Sequence, residues 1–322
     1  MSRRPVAATA SGPRARARPA WSTPLADPDV VRTADGWIAY GTGPVREARA
    51  VPAAVSDDLV TWRGIGNVLE ALPPEAGDSY WAPEVCEREG VWWMYYSVGH
   101  GERGHLIRVA RAEAPEGPFR DQGVVLTPDE SFAIDASPCR LEDGSWWLFF
   151  ARDVIDHERP GTHLAVAPLL TPTSLGSTAA VLAPYADWQI FESDREMYGR
   201  RFTWHTLEGA HAVVRDGLLV LTFSGGSWQG PGYRTAWAYA TSPLGPWTVP
   251  GAEEDVLLRS DAEFIGPGHN SCTVGPEGQD VIAFHAWDEA RTGRYMHLRE
   301  LVVDASAPSV HMGGPLVHDQ GV

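Results

Sequence analysis

Apolar positions along this chain fall in short runs rather than long helical stripes, and the runs recur. After each of five acidic-Gly pairs, Asp35-Gly36, Glu89-Gly90, Asp143-Gly144, Asp216-Gly217 and Glu277-Gly278, stands a β-type stretch: WIAYGT, VWWMYYSV, SWWLFFAR, LLVLTFSG and DVIAFHAW. A Gly-containing turn between apolar runs predicts a hairpin. A third run follows in every unit (VPAAVSDD, LIRVARAE, LAVAPLLT, AWAYATSP, MHLRELVV), and a fourth (GNVLEA, GVVLTP, AAVLAP, EDVLLR) closes the first four units. Four short strands repeated at roughly 55–75 residues per unit predict an all-β chain, a five-bladed β-propeller of four-stranded antiparallel blades around a central channel. One blade cannot bury both of its faces alone, so neighbours must stack into a ring. The longest insertion, residues 185–205, is expected to form a loop over one face.

The repeat also aligns polar residues. Eight positions before each acidic turn residue stand Asp27, Trp81, Asp135, Glu208 and His269. In a propeller the first strand of each blade lines the channel, so residues at one repeat position converge near the axis. Three carboxylates, an indole and an imidazole should therefore share one depression. Two carboxylates on opposite sides of a glycosidic bond can serve as acid and base. A third close by raises its neighbour's pKa by repulsion and keeps the acid protonated near neutral pH. The face of Trp81 suits the apolar side of a sugar ring.

The composition, with 14 Trp, 33 Gly and 26 Pro in 322 residues, favours short strands and turns. A net charge of −16 argues against nucleic acid or an anionic membrane surface as partner. No stretch approaches the length of a membrane span, and nothing implies a protein partner. Cys86, Cys139 and Cys272 cannot all pair and match no zinc spacing, which points to free thiols in a reducing compartment. Residues 1–20 are basic and rich in Ala and Pro, without the apolar core of a secretory signal. They are expected to form a disordered tail ahead of a single propeller over 21–322, and the protein is expected in the cytoplasm.

The motifs ADPDVV, YWAPEV, AIDASPCRLEDGSWWLFF, LEGAHAVVRDG and GPGHNS…FHAW, in that order from about residue 24 to 303, resemble the signature of glycoside hydrolase family 43. The resemblance implies a five-bladed propeller and an inverting hydrolase of arabinose- and xylose-containing glycans. It implies Asp27 as general base, Glu208 as general acid and Asp135 as the residue that tunes and orients the acid, with Asp29 a weaker candidate for the base. His269 matches a histidine at the channel centre that in many members approaches a water-coordinated calcium ion, so the resemblance allows such an ion, with no cofactor required. Arg294 matches a late arginine that reaches the active site and can pair with the tuning carboxylate. Glu84 stands where Asp is frequent and either contacts substrate or satisfies the backbone. The pair Ala210-His211 departs from the family pattern beside the acid and could bring His211 near the pocket, while Cys139 and Cys272 replace larger apolar residues.

The resemblance implies, as function, release of terminal α-L-arabinofuranosyl or related pentosyl groups from oligosaccharides. A β-xylosidase or an endo-arabinanase of the same family remains open, as does a carbohydrate-binding propeller without catalysis. Three clustered, mutually repelling carboxylates argue against a mere binding role. Phosphorolysis would need a basic pair on the ring, and the ring positions carry none.

Overall fold

A computed structural model describes residues 16–251 and 255–316. The blades form in chain order. The first comprises strands Ala26–Thr33, Gly36–Thr42, Arg49–Ser56 and Arg63–Glu70, and the second Ser79–Arg88, Val91–His100, Arg103–Ala112 and Arg120–Val125. The third comprises Ala133–Arg140, Trp146–Val154, Gly161–Thr171 and Ala179–Leu182. The fourth is built from Arg200–Arg215, Leu218–Gly225, Arg234–Ala240 and Val256–Leu258, and the fifth from Gly268–Val274, Asp280–Trp287, Arg294–Asp304 and Ser309–Pro315. Each blade is an antiparallel meander. First strands of neighbouring blades touch all the way round, the fifth against the first, so the ring closes. This is the five-bladed propeller expected from the repeat. The fifth blade also carries a fourth strand, which its polar, Gly-rich sequence (SVHMGGP) did not announce.

Turn chemistry explains the hairpins. In Glu89-Gly90 and Asp216-Gly217 both residues have positive φ (57° and 76°, 50° and 76°), the geometry of a two-residue turn matched to strand twist. Because strand side chains alternate, the second strand of a blade sends neighbours to opposite faces. Tyr96 packs between blades one and two while Tyr95 packs between two and three; Phe150 and Phe149 split likewise between blades two–three and three–four. Both faces are therefore buried. That is why these strands read as near-continuous apolar runs rather than as an alternation.

Closure between the last blade and the first is made by side chains. Leu25, Val30, Trp37 and Ala39 pack on Val281, Ala283, Met296 and Leu298, and Trp37 Nε1 donates to the Val274 carbonyl at 3.0 Å. Residues 16–20 take part: Ala17 and Ala20 donate backbone N–H groups to Glu263 and Met296. This end of the expected tail is thus bonded to the propeller, and residues 1–15 lie outside the described residues.

The insertion corrects one expectation. It is a β-hairpin, not a loop: Ile190–Met197 pairs with the first half of the sixteen-residue strand Arg200–Arg215, whose second half is the inner strand of blade four. Where the halves meet, His205 and Thr206 pair in parallel with Gly161 and Thr162, joining blades three and four in one sheet.

Candidate active site

Each inner strand is interrupted by a bulge at the channel mouth, and one residue there has left-handed φ: Asp27 (51°), Ala82 (42°), Asp135 (60°), Gly209 (57°) and His269 (48°). A non-Gly residue in this region is uncommon, and bulges re-aim side chains beside functional sites. These five are the structurally equivalent positions. The eight-residue count met them in blades one, three and five. In blades two and four it landed one residue early, on Trp81 and Glu208, because the acidic pair there forms the whole two-residue turn. Function alternates accordingly. Where the left-handed residue carries the polar group, its predecessor is Ala26, Ile134 or Gly268. Where the predecessor carries it, the left-handed residue is Ala82 or Gly209. Gly209 lies under the His269 ring, with 3.1 Å to the position a Cβ would take, and a side chain at Gly268 would collide with Tyr233.

Asp27, Trp81, Asp135, Glu208, His269 and Arg294 converge on one cavity of about 320 Å³, together with Trp228 and Glu102. The Arg294 guanidinium donates to Asp27 Oδ1 at 3.0 Å and lies over the Trp228 ring, 4.6 Å from its centroid, with Trp287 stacked behind. Arg294 thus pairs with Asp27 and not with Asp135, the partner the resemblance implied. Nδ1 of His285 accepts the Asp27 backbone N–H at 3.1 Å, so its equally close approach to Oδ1 is not a second hydrogen bond. His269 Nδ1 stands 3.6 Å from Asp27 and 3.9 Å from Asp135. Asp135 Oδ2 accepts the Gly209 N–H at 2.9 Å, and Glu208 Oε1 accepts from Tyr233 Oη at 2.6 Å. Trp81 is backed by His105, ring centroids 3.6 Å apart.

The electrostatics separate the three acids. Burial alone would push the Asp27 carboxyl up, but Arg294 and then His269 hold it well below the usual carboxylate range. Burial and then the Asp135 charge push Glu208 up to about 7, against the Tyr233 hydrogen bond. Glu208 keeps an edge open to the pocket while the protein encloses the rest of it. Asp135 is raised by burial and Asp27, opposed by His269 and the Gly209 N–H. Burial would lower His269, but Asp135, Asp27 and Glu208 hold it above its usual value, toward the cation.

Two residues further along each inner strand lies a second layer: Asp29, Glu84, Ser137, His211 and Ser271. Glu84, Asp29 and His211 line a separate cavity with Cys272, and none of the three borders the pocket above. Glu84 Oε1 is 3.2 Å from His211 Nδ1, and Asp29 Oδ2 accepts the Val85 N–H at 2.7 Å. Glu84 as a substrate contact, Asp29 as the weaker candidate for the base and His211 near the pocket are expectations that this layering corrects. A two-residue step along a strand keeps the side chain on the same face but moves it about 6.6 Å along the channel.

Several residues of the site were not singled out from sequence. Tyr233 and Trp228 sit in irregular stretches of blade four. Phe191, Arg195, Met197 and Trp204 of the insertion hairpin line an adjoining recess that shares Trp81, Glu102, Ile134, Glu208 and Trp228 with the first cavity. Only His285 left a signal, in the FHAW motif. Calcium prefers six to eight oxygen ligands, and among the described residues no group of three or more His, Cys, Asp or Glu side chains is arranged to hold a metal. An ion beside His269 would have to draw most of its coordination from water.

Among characterised proteins, the chain is similar to the extracellular exo-α-(1→5)-L-arabinofuranosidase of Streptomyces avermitilis, 26% identical over 81% of this chain and 54% of that enzyme. It thus spans about half the length of that relative. It is also similar to the extracellular endo-α-(1→5)-L-arabinanase 1 of Bacillus subtilis, 29% identical over 84% of this chain and 82% of that enzyme. Of solved structures, a thermostable family-43 glycoside hydrolase superposes with a TM-score of 0.78 over 92% of this chain and 95% of its own, at 23% identity, a likeness of fold. The relatives' extracellular naming overturns the cytoplasmic placement expected from sequence. The cysteines that supported it are free thiols on three different blades. The model for glycosyl hydrolases family 43 matches residues 17–306, every blade that the repeat predicted, and the chain belongs to that family.

Proposed function

We propose that this protein is an inverting glycoside hydrolase that releases terminal α-L-arabinofuranosyl groups from short arabino-oligosaccharides. The observation that carries this reading is the opposite displacement of two carboxyls in one cavity: Asp27 held ionised by Arg294, Glu208 held protonated near pH 7 by burial and Asp135. Two carboxyls pushed apart in this way divide into base and acid. Glu208 donates its proton to the departing glycosidic oxygen, while Asp27 takes a proton from the water that attacks the anomeric carbon from the other face. Asp135 remains ionised beside Glu208 and sustains its pKa.

The cavities orient the substrate. Asp27, Asp135, His269 and Arg294 border only the channel-mouth cavity, whereas Glu208 borders both it and the hairpin recess. The scissile oxygen therefore belongs at their boundary, with the sugar to be released at the channel mouth and the leaving group against Phe191, Arg195 and Trp204. A wall formed by the hairpin favours attack on chain ends. The names of the relatives support arabinose as the sugar and a location outside the cell, and the Bacillus subtilis relative keeps endo-cleavage of arabinan as the second reading. For phosphorolysis the pocket offers Arg294, which is already committed to Asp27.

The test is hydrolysis of aryl α-L-arabinofuranoside, β-D-xyloside and β-D-galactoside, followed by product analysis on linear arabino-oligosaccharides and proton NMR of the first product. Arabinose released singly with inverted configuration is expected. Retained configuration defeats the role of Asp27, and internal products establish the endo reading.

A further inference from the structure

The five blades share one hydrogen bond that ties each to the next, and a single blade departs from it. On the second strand of every blade, the residue paired with the one before the bulge occupies a common slot, filled by Thr42, Ser97, Ala151, Ser224 and His285. In four blades that side chain accepts the backbone N–H of the left-handed residue in the following blade. Thr42 accepts from Ala82 at 2.8 Å, Ser97 from Asp135 at 3.0 Å, Ser224 from His269 at 2.7 Å and His285 from Asp27 at 3.1 Å. Blade three has Ala151, fully buried and without an acceptor. The orphaned donor, Gly209 N–H, turns instead to Asp135 Oδ2 at 2.9 Å.

We infer that Ala151 is a positioning residue: by leaving its slot without an acceptor, it hands the Gly209 N–H to Asp135 and so fixes that carboxylate beside Glu208. A buried N–H needs a partner, and an acceptor at position 151 would compete for it as its counterparts do in the other four blades. The inference rests on the reading of Asp135 as an ionised carboxylate that sustains the acid. The other charged groups facing Asp135 are His269, Asp27, Glu208 and Glu84, none of which a change at 151 alters.

The consequence for pH follows from the sign of the bond. N–H donation favours the ionised carboxyl, so losing it raises the pH at which Asp135 ionises. Asp27 ionises lower still, because Arg294 holds it down. The acidic limb of the pH–rate profile therefore follows Asp135. The basic limb follows Glu208 losing its proton next to an Asp135 already ionised. An acceptor at 151 should move the acidic limb up by about one pH unit, the scale of one charge-assisted hydrogen bond, and leave the basic limb in place.

The experiment compares kcat/KM profiles on arabinobiose for the wild type, Ala151→Ser, Ala151→Thr and Ala151→Val, with ¹³C NMR titration of the aspartate carboxyls. Ser and Thr already fit this slot in blades one, two and four. Valine adds the bulk of threonine without its acceptor. Ser and Thr raising both the acidic limb and the Asp135 titration, with Val matching the wild type in both, is the expected result. An unmoved Asp135 titration in Ser and Thr, or an equal shift in Val, overturns the inference. Asp135→Asn separates the two levels. If it keeps full activity and an unchanged profile, the reading of Asp135 fails; if it is inactive while Ala151→Ser behaves as wild type, only the role of Ala151 fails.

Discussion

Arg294 Nη1 lies 3.0 Å from Asp27 Oδ1, joining two residues 267 positions apart across the seam where the ring closes. The carboxylate is buried, so without the guanidinium its charge would be costly to keep. Arg294→Gln should therefore let burial dominate and raise the pKa of Asp27. A base with a depressed pKa is lost only as pH falls through that low value; once it is raised, activity is lost at higher pH. The acidic limb of kcat/KM should climb toward neutrality, and the rate at pH 5 should fall on the order of 10²-fold. A pH–rate profile together with ¹³C NMR titration of Asp27 checks this; an unmoved Asp27 titration would show that Arg294 is not what keeps it ionised.

The two proposed proton-transfer groups separate by their dependence on the leaving group. A general acid matters most when the departing oxygen is basic and little when a dinitrophenolate leaves. Glu208→Ala should lower turnover of arabinobiose by about 10²–10⁴-fold while sparing much of the rate on a dinitrophenyl arabinofuranoside. Asp27→Ala should depress both together, since every substrate needs activated water. Steady-state kinetics on the two substrates decides; equal losses for Glu208→Ala would remove it as the acid.

Glu208 should also weaken the fold above its unfolded pKa. Its folded value is about 7 against 4.5 in the unfolded chain, so the folded state holds a proton that the unfolded state releases between these values. Stability thus falls as pH rises through this window, by roughly 3 kcal/mol for such a shift. Glu208→Gln should melt several degrees higher than the wild type at pH 8 and show little difference at pH 4.5. Calorimetry at the two pH values checks this, and a gain of the same size at both would mean that the effect is not titration.

The insertion hairpin should act on the leaving group alone. Phe191 lines the recess beyond Glu208 and carries Arg195 over its ring at 4.6 Å. Phe191→Ala should raise KM for arabinotriose about tenfold, the scale of one lost aromatic contact, while kcat/KM for a dinitrophenyl arabinofuranoside changes little. Comparable losses on both substrates would place Phe191 in support of the catalytic cavity.

What the sequence determined by itself was everything written in local periodicity. Acidic-Gly turns and the apolar runs after them follow from backbone and packing rules acting over a few residues, and their recurrence specified five blades and an inner ring. Asp27, Asp135 and His269 were legible because their offset to the turn is constant. Trp81 and Glu208 were found by the same count although they precede the bulge, since the acidic residue in those blades takes the first position of the turn rather than the second. Tertiary structure alone decided the partners. Arg294, at the head of a strand, meets Asp27, and Tyr233, in a loop, meets Glu208, and neither position carries the period. Glu84, Asp29 and His211 fell to a deeper layer because a two-residue step preserves the face of a strand and changes its depth. The acid's pKa depends on burial and on a charge contributed by another blade. Neither has a local signature, because both arise only when the ring closes and excludes water.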